Sequence, residues 1–267
     1  MERTTYDTPG ALRLEVRLLS GDVSIQAAAT STTSLEISGE NDPDEISVAF
    51  ESSENDHRLS IEHRKRGIFG GIKGRNIKVR VTVPEGTHVR VDGGSTDLTA
   101  RGTLGSLSFH SGSGDASVQK VVGDAEAKVA SGDLHIDQVN GKLSFHSASG
   151  DVSASVVGGE AIARTASGDV ALGKVGGSVR VTTVSGDISV SSLLPTGSAN
   201  LQAVSGDIDV GVPTGTNVYL DLSSSTGSTR SDLTVSDSPP ASADVPDESE
   251  IRAATVSGDI TVHRSRQ

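Results

Sequence analysis

The chain contains no cysteine and no tryptophan, and only four Phe and two Tyr in 267 residues. Without cysteine there are no disulfides and no thiolate metal sites, and nothing in the composition marks an oxidising compartment. So few aromatics exclude an ordinary globular core of this size. They fit a thin two-layer core filled by Val, Ile, Leu and Ala. No stretch approaches the roughly 20 apolar residues of a membrane-spanning helix. The first seven residues, Met1 to Asp7, hold no apolar run, so no signal peptide is expected and the chain reads as soluble and cytoplasmic, with a cell-surface or envelope-associated location as the alternative. Basic residues are outnumbered, 23 Lys and Arg against 35 Asp and Glu. The resulting net charge of −12 argues against nucleic acid as a partner.

What the chain has instead is glycine, 31 residues of it, and a period. Ser-Gly-Asp recurs at Ser113, Ser131, Ser149, Ser167 and Ser185, each step 18 residues, and the weaker Ser95-Thr96-Asp97 opens the series. A fixed period of this kind signals a repeat architecture. Each repeat alternates apolar and polar residues on both sides of the corner, as in Leu134-His135-Ile136 and Leu143-Ser144-Phe145-His146. Alternation of period two between Gly corners means β-strands. Stacked in register, one column reads Phe109, Ala127, Phe145, Ala163, Val181, and the other Val118, Ile136, Ala154, Leu172, Val190. Both stay apolar throughout, and large residues alternate with small ones in the first, which lets neighbouring layers fill space. The predicted fold is an all-β, single-domain parallel β-solenoid with rungs of roughly 18–20 residues, each paired with the next about 4.8 Å away.

The solenoid is expected to run through residues 1–267 as one domain. Residues 1–92 read as irregular N-terminal rungs, since terminal repeats must cap an open stack. Strands are expected near Ser34 to Ser38, Glu45 to Phe50, Arg58 to His63 and Ile77 to Val83, the last two pairing as a hairpin. Residues 93–235 hold the regular repeats. The step lengthens to 20 residues where Pro enters the corner, from Ser185 to Ser205 and from Ser205 to Ser225. Residues 236–249 form an exposed acidic Pro-rich loop, and 250–267 the last rung and tail.

The repeated Ser-Gly-Asp-[Val/Ile]-x-[Val/Ile] units, found also at Ser20, Ser205 and Ser257, are joined by Val-Pro-x-Gly corners. Together they resemble the DUF4097 "putative adhesin" family of bacterial β-strand-repeat proteins, related to the LiaG-like proteins. The resemblance covers nearly the whole chain. It implies a bacterial β-solenoid linked to the cell envelope or to envelope stress, and it implies no catalytic residues.

Three features carry candidate chemistry. The column Asp97, Asp115, Asp133, Asp151, Asp169, Asp187 suggests either a cation ladder or, as the favoured reading, Asx turns in which each carboxylate accepts N–H groups at its own corner. Calcium takes six to eight oxygens, and one carboxylate per corner supplies few. An outward column, His110, Lys128, His146, Arg164, reads as a solvated face or a weak anionic docking stripe. The loop Arg64, Lys65, Arg66, Ile68, Phe69, Lys73, Arg75 sets an apolar tip between basic shoulders. It suits either a cap on the solenoid's end, the favoured reading, or a partner or membrane-surface contact. No Ser/His/Asp spacing, phosphate loop or His-Glu-x-x-His motif occurs, and no catalytic, cofactor or metal residues are assigned. The expected function is that of a non-enzymatic structural or interaction protein, an adhesin-like scaffold. It would bind an unknown protein partner, associate with itself as a filament, or touch a membrane weakly at its periphery. A polysaccharide-acting β-helix enzyme is the remaining alternative.

Overall fold

The computed structural model describes residues 2–39, 46–53, 56–63, 77–194, 197–233 and 248–265. Every regular element among them is a β-strand. The fold is a β-solenoid, and the chain divides into two compact units, residues 1–138 and 139–267.

The first unit is organised by two long strands, Ala11–Ala28 and His88–Leu104. They lie parallel, in register from Arg13↔His88 to Gln26↔Arg101. Each supplies one strand to two sheets, because its alternation breaks at a corner and resumes with the phase shifted by one residue, from Leu12, Leu14, Val16 and Leu18 to Val23, Ile25 and Ala27 in the first strand. In the first sheet, Ala11 to Arg17 pairs with Asp56–His63, and His88 to Ser95 pairs with Ser106–Ser113, which pairs in turn with Ala125–Ser131. In the second, Gly21 to Ala28 pairs with Ile77–Pro84, and Leu98 to Leu104 with Ala116–Val121. All these pairings are parallel. Antiparallel strands then close the outer edges. Ile46–Ser52 lies on Asp56–His63, Thr32–Ser38 on Ile77–Pro84, and Glu2–Asp7 on Thr32–Ser38.

The four strands expected in the N-terminal third are therefore present, and Glu2–Asp7 joins them. The hairpin is not. Among the described residues, Asp56–His63 and Ile77–Pro84 pair beside opposite halves of Ala11–Ala28 rather than with each other. The physical reason is the solenoid itself. A chain that turns a corner puts consecutive strands into different sheets, whereas a hairpin would have left one half of Ala11–Ala28 without a partner on that side.

The second unit is parallel throughout. One sheet runs Leu143–Ser149, Ala161–Ser167, Val179–Ser185, Ser198–Ser205, Glu248–Ser257, Asn217–Ser224. The other runs Val152–Val157, Val170–Val175, Ile188–Leu193, Ile208–Val212, Ile260–Arg264, Thr229–Ser231. Ser205 thus pairs with Ser257, not with Ser225, and the expected stacking of rungs in chain order fails at this end. Burial explains the exchange. Ile251, Ala253, Ile260 and Val262 are at most 1% exposed, while Val218, Leu220 and Leu222 are only half-buried. The rung with the full Ser257-Gly258-Asp259 corner takes the inner place. The one with Ser225-Thr226-Gly227-Ser228, which lacks the Asp, takes the end.

The core columns follow the expected register. Val91, Phe109 and Ala127 line up in the first unit, and Phe145, Ala163, Val181, Leu201 and Ala253 in the second, all at most 3% exposed. None of these residues could be buried by its own rung alone, so the apolar area removed from water comes from stacking.

The corners carry a second interaction. The backbone N–H of each corner Asp donates to the carboxylate of the Asp one rung before: Asp115 to Asp97 at 3.0 Å, Asp133 to Asp115 at 2.9 Å, Asp169 to Asp151 at 2.7 Å, Asp187 to Asp169 at 2.8 Å. The series continues through Asp207 to Asp259, whose carboxylate accepts the N–H and hydroxyl of Ser228. These last bonds hold the Asp259 carboxyl below its ordinary range. The Asp column is therefore a ladder between rungs, not a set of Asx turns closed within each corner. The register places each N–H beside the previous carboxylate, and a charge-assisted bond is preferred there to a local one.

Candidate binding groove

The outer face of the second sheet of the first unit has a groove of about 450 Å³. Its strands run in the order Glu2–Asp7, Thr32–Ser38, Ile77–Pro84, Gly21 to Ala28, Leu98 to Leu104. Alternation turns Val23, Ile25, Leu35, Val79, Val81 and Leu98 inward, and the residues between them outward. Register then lines up two outward rows. One is Arg3, Glu36, Arg80, Ser24, Thr99; the other is Thr5, Ser34, Thr82, Gln26, Arg101.

Among the described residues lining the groove, three guanidiniums thus meet one carboxylate. Glu36 and Arg80 lie 3.6 Å apart. Arg3 and Arg101 have no carboxylate partner among the described residues. In a chain of net charge −12 this is a local excess of positive charge, and hydroxyl and amide groups fill the space between the cations. A smaller depression of about 340 Å³ adjoins it, sharing Ser24, Arg80 and Thr99 and adding Asp22, Lys78 and Asp97.

Arg101 is placed by a bulge. Between Ala100 and Thr103 the register against Ala116–Val121 shifts, so Arg101 and Gly102 together face Gln119. Gly102 has φ +84°, and a Cβ there would lie 2.2 Å from the Ala27 carbonyl oxygen, so only glycine fits. Its N–H donates to Gln119 Oε1 at 2.8 Å. A bulge of this kind re-aims the neighbouring side chain and is fixed by these contacts.

The outer face of the first sheet is different. There the cations of the described residues are matched. Arg58 bonds Glu15, Arg17 bonds Glu62 at 2.9 Å, and Lys128 bonds Glu126. Asp92 receives Arg90 at 2.8 Å, His110 at 3.1 Å and Arg17 at 3.5 Å. Partial burial pushes the Asp92 carboxyl up, but the bonds from Arg90 and His110 outweigh this and hold it below its ordinary value of 3.8. Within the outward column read from the sequence, His110 and Lys128 are therefore internally compensated, and this face offers little free charge. His146 and Arg164 stand side by side in the second unit.

Of the residues singled out in the sequence, Arg64, Lys65, Arg66, Ile68, Phe69, Lys73 and Arg75 lie outside the described residues. Arg3, Arg80 and Arg101 were not singled out, since 98 positions of chain and two antiparallel pairings separate the first from the last. The available signal was their place on outward positions of alternating strands.

A two-sheet solenoid with Gly-Asp corners and a polar outer groove defines the class: a β-repeat protein that presents sheet faces. The family described as Toastrack DUF4097 matches residues 11–263, and the chain belongs to that family. Among solved structures it is similar to a "putative adhesin" from Bacteroides fragilis, at 16% identity and TM-score 0.44, covering 98% of this chain and 96% of that one. It is similar also to a "putative adhesin" from Parabacteroides distasonis, at 10% identity and TM-score 0.38 over 97% and 96% of the two chains. A third, a "putative cell adhesion protein" from Clostridium sporogenes, shows 12% identity and TM-score 0.25 over 98% and 99%. No curated protein matches the sequence. No helix is long and apolar enough to cross a membrane among the described residues.

Proposed function

We propose that this protein is a non-enzymatic, adhesin-like interaction module linked to the bacterial cell envelope. It would dock an anionic partner in the groove of its first unit. The observation that carries the reading is the convergence of Arg3, Arg80 and Arg101 on one outer face, against a single carboxylate among the described lining residues, in a chain that is otherwise strongly acidic. Membership of a family whose resemblance implies an envelope link supports the location. Binding of the labelled protein to bacterial envelope fractions tests it. The triple variant Arg3→Gln, Arg80→Gln, Arg101→Gln should lose most of the binding while keeping its β-sheet circular dichroism; equal binding by the variant would remove the groove from the interaction.

A second reading, self-association, is favoured by one feature. Asn217–Ser224 pairs with Glu248–Ser257 on one edge, and its other edge has no strand partner among the described residues. Tyr219 on this strand is 58% exposed. An eight-residue edge without Lys or Pro is a template for another chain. Light scattering across a concentration series distinguishes a monomer from an assembling species.

A further inference from the structure

We propose that the groove binds a linear glycan that carries a carboxylate on every second sugar. This rests on the reading of the groove as the interaction surface and adds the class of ligand.

The argument is the spacing of charge across the sheet. Arg3, Arg80 and Arg101 stand on the first, third and fifth of five adjacent strands. With strands about 4.8 Å apart, cations recur on every second strand, roughly 9.6 Å apart across the sheet, with Arg101 set two residues along its strand from the row that holds Arg3 and Arg80. The second strand presents Ser34 and Glu36 and the fourth Ser24 and Gln26, so the positions between cations hold hydroxyl, amide and carboxylate groups. A guanidinium recognises a carboxylate through two parallel N–H bonds, and hydroxyl, amide and carboxylate groups exchange hydrogen bonds with sugar hydroxyls.

Glu36 decides between polymers. A chain charged at every unit would bring an anion against this carboxylate on the second strand. A chain charged at alternate units puts a neutral sugar there, and Glu36 then accepts from its hydroxyls while holding Arg80 at 3.6 Å. The repeat of an extended disaccharide matches two strand spacings. Among the described residues no aromatic lines the groove, so recognition by them depends on these polar contacts and not on stacking.

Calorimetric titration at low ionic strength tests the assignment with four probes of similar length: a hyaluronan decasaccharide, charged on alternate sugars; an oligogalacturonate, charged on each; a neutral chitin oligosaccharide; and inorganic polyphosphate. The hyaluronan fragment should bind most tightly. Arg3→Gln and Arg101→Gln should each weaken it about tenfold or more without moving the melting temperature, since both side chains are exposed. Glu36→Gln should narrow the preference for hyaluronan over oligogalacturonate. Absence of hyaluronan binding, equal binding of the uniformly charged or neutral probes, or insensitivity to the arginine variants would each overturn the proposal. If no glycan binds but envelope binding still requires the three arginines, the ligand class is wrong and the interaction surface stands. If envelope binding ignores the arginines, the surface itself is wrong.

Discussion

Replacing Gly168 with Ala should damage this protein more than its half-buried position between two strands suggests. Gly168 sits at a Ser-Gly-Asp corner with φ +156°, and an added Cβ would lie 2.1 Å from the carbonyl oxygen of Gly150 on the preceding rung. The obstacle is backbone, so no side chain can swing away. Relief requires the two rungs to part by roughly 1 Å at the corner, given that carbon and oxygen approach no closer than about 3 Å. That movement weakens the bond from Gly150 N–H to the Ser167 carbonyl at 3.0 Å and the charge-assisted bond from Asp169 N–H to Asp151 at 2.7 Å. At about 1 kcal/mol for the first and ~1.5 kcal/mol for the second, with backbone strain added, the cost is on the order of 3 kcal/mol. For a chain of this size it corresponds to a fall in melting temperature of roughly 6–12 °C. Gly215 supplies the control. Its φ is +88°, but nothing lies within 4 Å of an added Cβ, so Gly215→Ala carries strain alone, about 1 kcal/mol. Thermal melts by circular dichroism decide the matter. Equal shifts for the two variants would show that rung contact at the corner contributes nothing, and would refute the clash argument.

Three further outcomes are expected. Phe145→Asp places a charge at a site with no exposure and should cost several kcal/mol, whereas His146→Asp, one residue along and outward, should cost little; equal loss in denaturant unfolding would break the register. Ile251→Ala should cost about 2–4 kcal/mol and Leu220→Ala distinctly less, and the reverse order would contradict the placing of the last rung inside the end of the stack. Asp92 has a carboxyl held below its ordinary value of 3.8, so its contribution is complete above about pH 4 and disappears as pH falls through the lowered value. Asp92→Asn should therefore be destabilising at pH 7, by about 1–2 kcal/mol, and should match the wild type at strongly acid pH; a difference that persists there would mean the effect is not ionic.

Much of this architecture was legible because the repeat writes the same instruction every 18 residues. Alternation fixes which side of each strand faces in, and Phe109, Phe145 and Val181 fell where their columns place them. The N-terminal third offered no such repetition. That Thr32–Ser38 runs antiparallel beside Ile77–Pro84, and carries Glu2–Asp7 on its far edge, is decided by competition among distant strands for an exposed sheet edge, which local pattern does not encode. The groove inherits that difficulty, since Arg3 reaches Arg80 only through those two pairings. The Asp column reads as Asx turns rather than as a ladder between rungs for a related reason. An Asx turn is the local solution, and the bond that wins joins residues 18 apart. At the C-terminal end a signal was present, in the missing Asp of Ser225-Thr226-Gly227-Ser228, but its meaning depends on a comparison with the rung that displaced it.

That displacement bears on the order in which the second unit can assemble. Synthesis delivers Asn217–Ser231 before Glu248–Arg264, yet the later segment lies between the earlier one and the rest of the stack. Until the later strands emerge, Ser198–Ser205 and Ile208–Val212 present an open edge, and Asn217–Ser231 is a competing partner of lower quality in the right place. Correct closure requires that partner either to wait or to leave. The final step is therefore a non-local exchange whose rate is set by loop closure and not by zipping from the neighbouring rung. A slow refolding phase confined to the second unit, abolished when Glu248–Arg264 is relocated to follow Val212 directly, would be its kinetic signature.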